Sequence, residues 1–185
     1  KLLKKSIKLF SNLGARKEQY ILNIVAAYNY IGEIRRYNGK FTEALKYYEQ
    51  AMSICHDKKI LRGLTIFNTN AGQAAFEVGD YDKAKVYLDK ALDIFDQLDA
   101  LWGRSTAEAY RALIYIEEKQ YPKALSCLKR ADRYAQKINN PHKKGIIYRV
   151  KAEIKKGCNR NKDQRKVFEA YLPLEVKDYC SKGIL

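Results

Sequence analysis

The chain has 185 residues, of which 46% are hydrophobic and 31% are charged, a balance typical of a folded globular protein rather than a disordered one. Its formal net charge of +15 favours acidic partners, and nucleic acid is one of these. No apolar run approaches the roughly 18 to 20 residues of a membrane span, and no signal-peptide core is found. We therefore expect a cytoplasmic protein that makes no use of a membrane.

The first predicted elements are helices. Residues 1–13 form an amphipathic helical pattern, and a second helical pattern covers residues 23–37. A short turn at residues 38–40 leads into a third helix, on which Ala44, Tyr48 and Ala51 share one face. Since the sequence begins at Lys1 and not at a methionine, we expect it to be part of a longer chain.

This helix, turn and helix recur at a spacing of 40 residues. The segment 38–54 aligns with 78–94 and with 118–134. Four sets of residues coincide in this alignment: Gly32, Gly72 and Ala112; Phe41, Tyr81 and Tyr121; Ala44, Ala84 and Ala124; and Ala51, Ala91 and Ala131. A period between 20 and 50 residues is typical of a solenoid or repeat array. Small side chains at the contact positions allow antiparallel helices to approach to roughly 8 to 10 Å.

These positions resemble the tetratricopeptide repeat family, in its long 40-residue form known from kinesin light chains and bacterial peptide-sensing regulators. The family's small, glycine, aromatic and alanine positions are occupied in the first two units; the third departs from them with Lys119 at the turn glycine. The resemblance implies an all-α fold, a right-handed superhelix of antiparallel helix pairs. It also implies a protein-binding or peptide-binding scaffold, the regulatory or adaptor part of a larger bacterial protein such as a transcriptional regulator or signalling ATPase.

On this basis we predict a single repeat domain over residues 1–185, with its segments in the following order. Residues 1–16 end a truncated preceding repeat, 17–58, 59–98 and 99–138 are repeats, 139–172 is a degenerate repeat, and 173–185 is a capping helix. Pro173 interrupts the last part because proline cannot donate the helical hydrogen bond.

Sequence motifs of catalysis are not found, and we expect neither enzymatic activity nor a cofactor. The glycines lie at repeat joints, and neither His56 nor His142 belongs to a motif that binds metal or carries a nucleophile. Four widely spaced cysteines, Cys55, Cys127, Cys158 and Cys180, form no metal-binding pair and favour reduced thiols in a reducing compartment.

In the family that the sequence resembles, the first helix of each pair lines a concave groove. Carried onto this chain, the groove positions are Asn29, Glu33, Arg36, Thr69, Asn70, Gln73, Thr106, Tyr110 and Arg149, with Glu153 beside them. The set is rich in amides, which can pair with the backbone of an extended peptide through both donors and acceptors. The alternative is structural: Asn29 and Asn70 bond neighbouring helices, and Arg36 forms a salt bridge with Glu33.

A basic region occupies the C-terminal part, since residues 138–185 contain twelve Lys or Arg against five Asp or Glu. Its candidate patch comprises Lys143, Lys144, Lys151, Lys155, Lys156, Arg160 and Lys162. Such a patch attracts an acidic protein partner, and as the alternative function it binds nucleic acid as an accessory domain. A composition set by AT-rich codons would produce the same excess of lysine without either function. The identity of the partner and the oligomeric state are not predicted.

Overall fold

The computed structural model describes residues 2–14, 20–138 and 141–160, which form helices joined by short turns. In chain order these helices are α1 Leu2–Ser11, α2 Ile21–Tyr37, α3 Phe41–Asp57, α4 Leu61–Val78, α5 Tyr81–Gln97, α6 Arg104–Glu117, α7 Tyr121–Ile138 and α8 Pro141–Arg160. No strand occurs in these ranges, so the predicted all-α class is confirmed for them. The predicted capping helix at 173–185 lies outside the described residues.

The chain divides into two units, one within Lys1–Asp99 and the other within Ala100–Leu185. In the first unit each helix from α1 to α5 packs on the next, and α2 also contacts α4. In the second unit α6 packs on both α7 and α8, and α7 contacts α8. Within each unit, helices that follow one another in the chain are therefore also neighbours in space.

The contact positions of the helix pairs are occupied by small residues because larger ones would collide with the facing helix. All seven alanines of the repeat pattern are fully buried: Ala44, Ala51, Ala84, Ala91, Ala112, Ala124 and Ala131. A Cβ atom at Gly72 would lie 2.6 Å from Cγ of Leu88, and one at Gly32 would collide with the Tyr48 ring. Such distances are too short for a Cβ atom, so a larger residue at either place would require the facing Tyr48 or Leu88 side chain to shift.

The turns within the helix pairs use a left-handed residue that closes the end of the first helix. Gly39 has φ +72° and Gly79 has φ +89°. In each turn the next residue donates a backbone hydrogen bond five residues back, Lys40 to Arg35 over 2.8 Å and Asp80 to Ala75 over 3.0 Å. This arrangement satisfies carbonyl groups that the helix end would otherwise leave without partners.

The third turn has the same geometry although it lacks glycine. Lys119 has φ +59°, and the next residue, Gln120, donates to the carbonyl of Tyr115 over 2.8 Å. A left-handed conformation is unfavourable for a residue with a Cβ atom, by roughly 1 to 2 kcal/mol. The packing of α6 on α7 therefore sets the backbone of this turn, and Lys119 adopts it at a cost.

Candidate functional site

Amide side chains form a bridge between α2 and α4, the first helices of two successive pairs. Nδ2 of Asn70 donates to Oδ1 of Asn29 over 3.2 Å, and Nε2 of Gln73 donates to Oδ1 of Asn70 over 3.4 Å. Asn29 and Asn70 are half-buried, and Gln73 is 9% exposed. The structure thus brings together three of the residues that the sequence assigned to a groove. It also contains the helix-to-helix bond named as the structural alternative.

Thr69 lies next to this bridge on α4 but turns its hydroxyl to its own helix. It is 6% exposed, and its Oγ1 donates to the carbonyl oxygen of Thr65 over 2.8 Å. The hydroxyl proton is therefore used within α4.

Glu33 and Arg36 form an ion pair on α2 that is anchored to α3 by Tyr48. Nε and Nη2 of Arg36 donate to the Glu33 carboxylate over 3.2 and 2.7 Å, and the Tyr48 hydroxyl donates to the same carboxylate. Burial alone would raise the pKa of Glu33, but the hydrogen bonds from Arg36 and Tyr48 lower it below the ordinary value. Burial, and then the bond to Glu33, raises the pKa of Tyr48. A ligand carboxylate would have to compete with Glu33 for Arg36.

The predicted groove residues of the second unit lie on α6 and α8. Thr106 is 9% exposed and Tyr110 is 6% exposed on α6, whereas Arg149 on α8 is exposed. The guanidinium carbon of Arg149 lies 6.0 Å from the centre of the Tyr110 ring. A cation over an aromatic face is a favourable contact, so Tyr110 and Arg149 are brought together, and Thr106 lies one turn earlier on α6.

Residues 23–97 match the family model of the tetratricopeptide repeat. This segment consists of tetratricopeptide repeats. Such repeats are non-catalytic scaffolds that generally mediate protein–protein interaction. The matched segment contains the whole amide bridge, which lies on the first helices α2 and α4, and the Glu33 cluster, which lies on α2 and α3. The comparison with curated proteins finds no match.

Beyond the matched repeats, the basic patch is described only in part. Nζ of Lys151 lies 3.5 Å from Asp132, and Nζ of Lys156 lies 3.5 Å from Glu153. Lys162 lies outside the described residues, and so do the side chains of Lys143, Lys144, Lys155 and Arg160. Both lysines of the patch whose side chains are described are thus already paired with a carboxylate.

An ion pair between a buried glutamate and a half-buried arginine within the third helix pair was not predicted from the sequence. Glu108 on α6 is 5% exposed, and Nε and Nη2 of Arg130 on α7 donate to it over 2.6 and 2.9 Å. The available signal was a glutamate between two alanines, Ala107 and Ala109. Because burying a charge without a partner is costly, such a glutamate indicates a cation on the facing helix.

The thiols that the structure describes are shielded from solvent. Cys55 and Cys127 are buried free thiols; burial raises the pKa of Cys55 to about 11 and, with the nearby Glu108 charge, that of Cys127 to about 12. Both remain protonated near neutral pH. The described part of the chain contains no cluster of three His, Cys, Asp or Glu side chains arranged for a metal ion. Nor does it contain a helix with the length and apolar character needed to span a membrane.

An exposed apolar surface on α2 was not predicted from the sequence either. Four apolar residues of α2 are each at least half exposed: Leu22, Tyr30, Ile34 and Tyr37. The sequence of α2 itself places apolar side chains on nearly all sides of the helix. A helix that is apolar all round is normally buried all round. The exposure of these four residues therefore marks a face of α2 that the described residues leave uncovered.

Proposed function

We propose that this chain is a protein-binding scaffold that binds an extended peptide, or an extended segment of a partner protein, along the first helices α2 and α4. The observation that carries the proposal is the amide bridge of Asn29, Asn70 and Gln73 across two successive repeats. An extended peptide presents backbone N–H and C=O groups at regular intervals. A row of amides that crosses from one repeat to the next can pair with such groups whatever the peptide's side chains are.

The bridge retains hydrogen-bonding capacity for a ligand. Each amide carries two N–H donors and one carbonyl oxygen, and its internal bonds use one donor of Asn70 and one of Gln73. The internal bonds also hold the three side chains in fixed rotamers before a ligand arrives. Side chains fixed in advance lose less conformational entropy on binding, which favours affinity.

The charged residues beside the amide bridge favour one orientation of the ligand. Glu33 is half-buried and its pKa is lowered, so it is ionised near neutral pH. Arg36 is paired with it, and its side chain is 20% exposed. A basic group on the ligand is therefore favoured near Glu33. A carboxylate on the ligand is favoured only where it can accept hydrogen bonds from Arg36 alongside Glu33. We further propose that the scaffold is the regulatory or adaptor part of a larger bacterial protein, such as a transcriptional regulator or signalling ATPase, where peptide binding would control an attached domain.

The test uses peptides selected from a displayed library of random sequences against the full chain. Replacing Asn70 and Gln73 together by Ala should weaken binding of a selected peptide at least about tenfold, or about 1.4 kcal/mol, because ligand backbone groups lose their partners. The matched control replaces Asp89 and Lys90, two exposed polar residues on α5, together by Ala and should bind the peptide as wild type does. Unchanged affinity in the Asn70 and Gln73 variant would refute the proposal.

The same peptides test the alternative at the basic region. Reversing the charges of Lys155, Lys156 and Lys162 should leave peptide binding unchanged if the amide bridge is the site. If this reversal abolishes binding, and binding of wild type falls steeply with salt, the basic region is the working site and the proposal is wrong.

A further inference from the structure

The turn between α2 and α3 contains the dipeptide Asn38–Gly39, and asparagine precedes glycine nowhere else in the sequence. This pair of residues is prone to lose the side-chain amide of the asparagine, because the backbone nitrogen of a glycine can attack the neighbouring Cγ with no side chain of its own in the way. The corresponding pairs in the next two turns are Val78–Gly79 and Glu118–Lys119, which carry no side-chain amide. The reaction is therefore confined to the first of the three turns.

The surroundings of Asn38 leave its side chain open to this reaction. Asn38 and Gly39 are both exposed, and a Cβ atom placed on Gly39 would have no atom within 4 Å beyond its chain neighbours. The side-chain amide of Asn38 makes no hydrogen bond to the residues that the structure describes. Water therefore reaches both residues, and no hydrogen bond holds the amide away from the Gly39 nitrogen.

The closed turn, in contrast, keeps the Gly39 nitrogen away from Cγ of Asn38. Asn38 has φ −86° and ψ 11°, and a ring between the two groups can close only after ψ rotates far from this value. The N–H of Gly39 donates to the Arg36 carbonyl over 3.0 Å, and the N–H of Lys40 donates to the Arg35 carbonyl over 2.8 Å. The rotation breaks both bonds, so the reaction requires the turn to open. Exposed turns open locally at a much smaller cost than global unfolding.

We propose that Asn38 is a site of spontaneous deamidation in the folded protein, gated by opening of the turn between α2 and α3. In the open turn the Gly39 nitrogen loses its proton to solvent and attacks Cγ of Asn38. The new N–Cγ bond closes a succinimide ring. The Cγ–Nδ2 bond breaks, and the amide nitrogen takes up a proton from water and leaves as ammonia. Water then opens the ring at one of its two carbonyl groups, which leaves aspartate or isoaspartate at position 38.

Either product changes the C-terminal end of α2. The new carboxylate adds negative charge where the aligned peptide dipoles already place partial negative charge. Isoaspartate also carries the main chain through its Cβ atom, which lengthens the turn by a methylene group. The backbone bonds of Gly39 and Lys40 then cannot both keep their present geometry, so modification loosens the first turn and leaves the turn at Gly79 unchanged.

The test incubates the full chain at physiological temperature and follows the proteolytic peptide that contains position 38 by mass spectrometry. We expect conversion of Asn38, slower than in a free synthetic peptide of residues 33–44 because the turn is closed most of the time. Amide hydrogen exchange of Gly39 measures the same opening, since its N–H must leave the Arg36 carbonyl in both reactions. The factors by which folding slows deamidation and exchange should agree within about threefold.

Asn38→Gln should abolish the conversion, because glutamine must close a larger ring, which forms more slowly. Its exposed side chain should leave the fold intact. Asn12→Gln is the matched control, since Asn12 is also exposed in a turn but precedes Leu13, and it should not change the rate at position 38.

Three results would overturn the proposal. Position 38 could stay unconverted over a time in which the measured exchange of Gly39 predicts complete reaction. Conversion as fast as in the free peptide would show that the turn is not the gate. Equal release of ammonia from wild type and Asn38→Gln would place the reaction at another residue.

Discussion

At the scale of single residues, side-chain volume at the contact positions decides how closely the helices approach. Ala84 is fully buried, and a Cβ atom at Gly72 would lie 3.4 Å from the Ala84 carbonyl oxygen. Leu88 fills the space next to both residues. A core packed this closely responds to any added methylene group, because the surrounding helices cannot move apart without losing their own contacts.

Replacing Ala84 by Leu should overpack α4 against α5 and lower the free energy of unfolding by about 1 to 3 kcal/mol. Thermal unfolding followed by circular dichroism measures this change. Lys90→Leu on the exposed side of α5 is the control and should be nearly neutral. Lys83 is a less suitable control position than Lys90, because its Nζ lies 2.9 Å from the Glu49 carboxylate on α3 and its replacement would break this ion pair. Equal melting temperatures for the two leucine variants would contradict the packing described here.

The Glu33 cluster makes stability depend on pH in a definite direction. The pKa of Glu33 is lowered in the folded protein, so its ionised form stabilises the fold above the ordinary carboxyl pKa of about 4.3. That contribution is lost as the pH falls through the lowered pKa. The difference in unfolding free energy between wild type and Glu33→Gln should be constant from neutral pH to about pH 5 and shrink below about pH 4.

Urea unfolding at a series of pH values measures this difference. Asp93→Asn, which changes an exposed carboxylate on α5, provides the control for general effects of charge. A Glu33→Gln variant whose deficit stays constant down to pH 3 would show that the ionised carboxylate contributes nothing.

At the scale of helices and turns, the backbone geometry of one turn is kept in all three helix pairs although the residue changes. The left-handed position is Gly39, then Gly79, then Lys119. Only the first two are free of strain, because glycine has no Cβ atom to collide with the following carbonyl oxygen.

Lys119→Gly should therefore stabilise the second unit by up to about 1 kcal/mol, since relief of the left-handed strain exceeds the added entropy of the unfolded chain. Denaturant unfolding provides the measurement. Lys129→Gly on the exposed side of α7 should do the opposite and destabilise by about 1 kcal/mol, because its backbone is helical. A loss of stability in Lys119→Gly would mean that Lys119 makes contacts that outweigh its strain.

Much of the helix and turn structure could be predicted from the sequence, because the small contact residues and the turn residues both recur every 40 residues. The sequence predicted joints near 38–40, 78–80 and 118–120, and the helices end at Tyr37, Val78 and Glu117. The sequence identified Asn29 and Asn70 as residues that could bond neighbouring helices, but it did not predict that they bond each other. A contact between residues 41 apart depends on how two helices tilt toward each other, which no local pattern records. The exposed apolar surface of α2 was not predicted for a similar reason, since apolar residues on nearly all sides of a helix indicate burial on all sides.

At the scale of the whole molecule, two compact units carry different chemistry. The first contains the tetratricopeptide match, the amide bridge and the exposed apolar surface of α2. The second contains the Glu108 and Arg130 pair and the part of the basic patch that is described. Composition and net charge describe the chain as a whole, so by themselves they could not place the amide bridge in the first unit.

The most direct test of the central claim is a nuclear magnetic resonance titration of the full chain with a selected peptide, following the side-chain amide signals. Binding along α2 and α4 predicts that the side-chain NH₂ signals of Asn29, Asn70 and Gln73 shift together and saturate at one dissociation constant. An exposed residue of the second unit, Gln136 on α7, serves as the internal reference and should not shift. Shifts confined to α7 and α8, with these three amide signals unchanged at saturation, would contradict the claim.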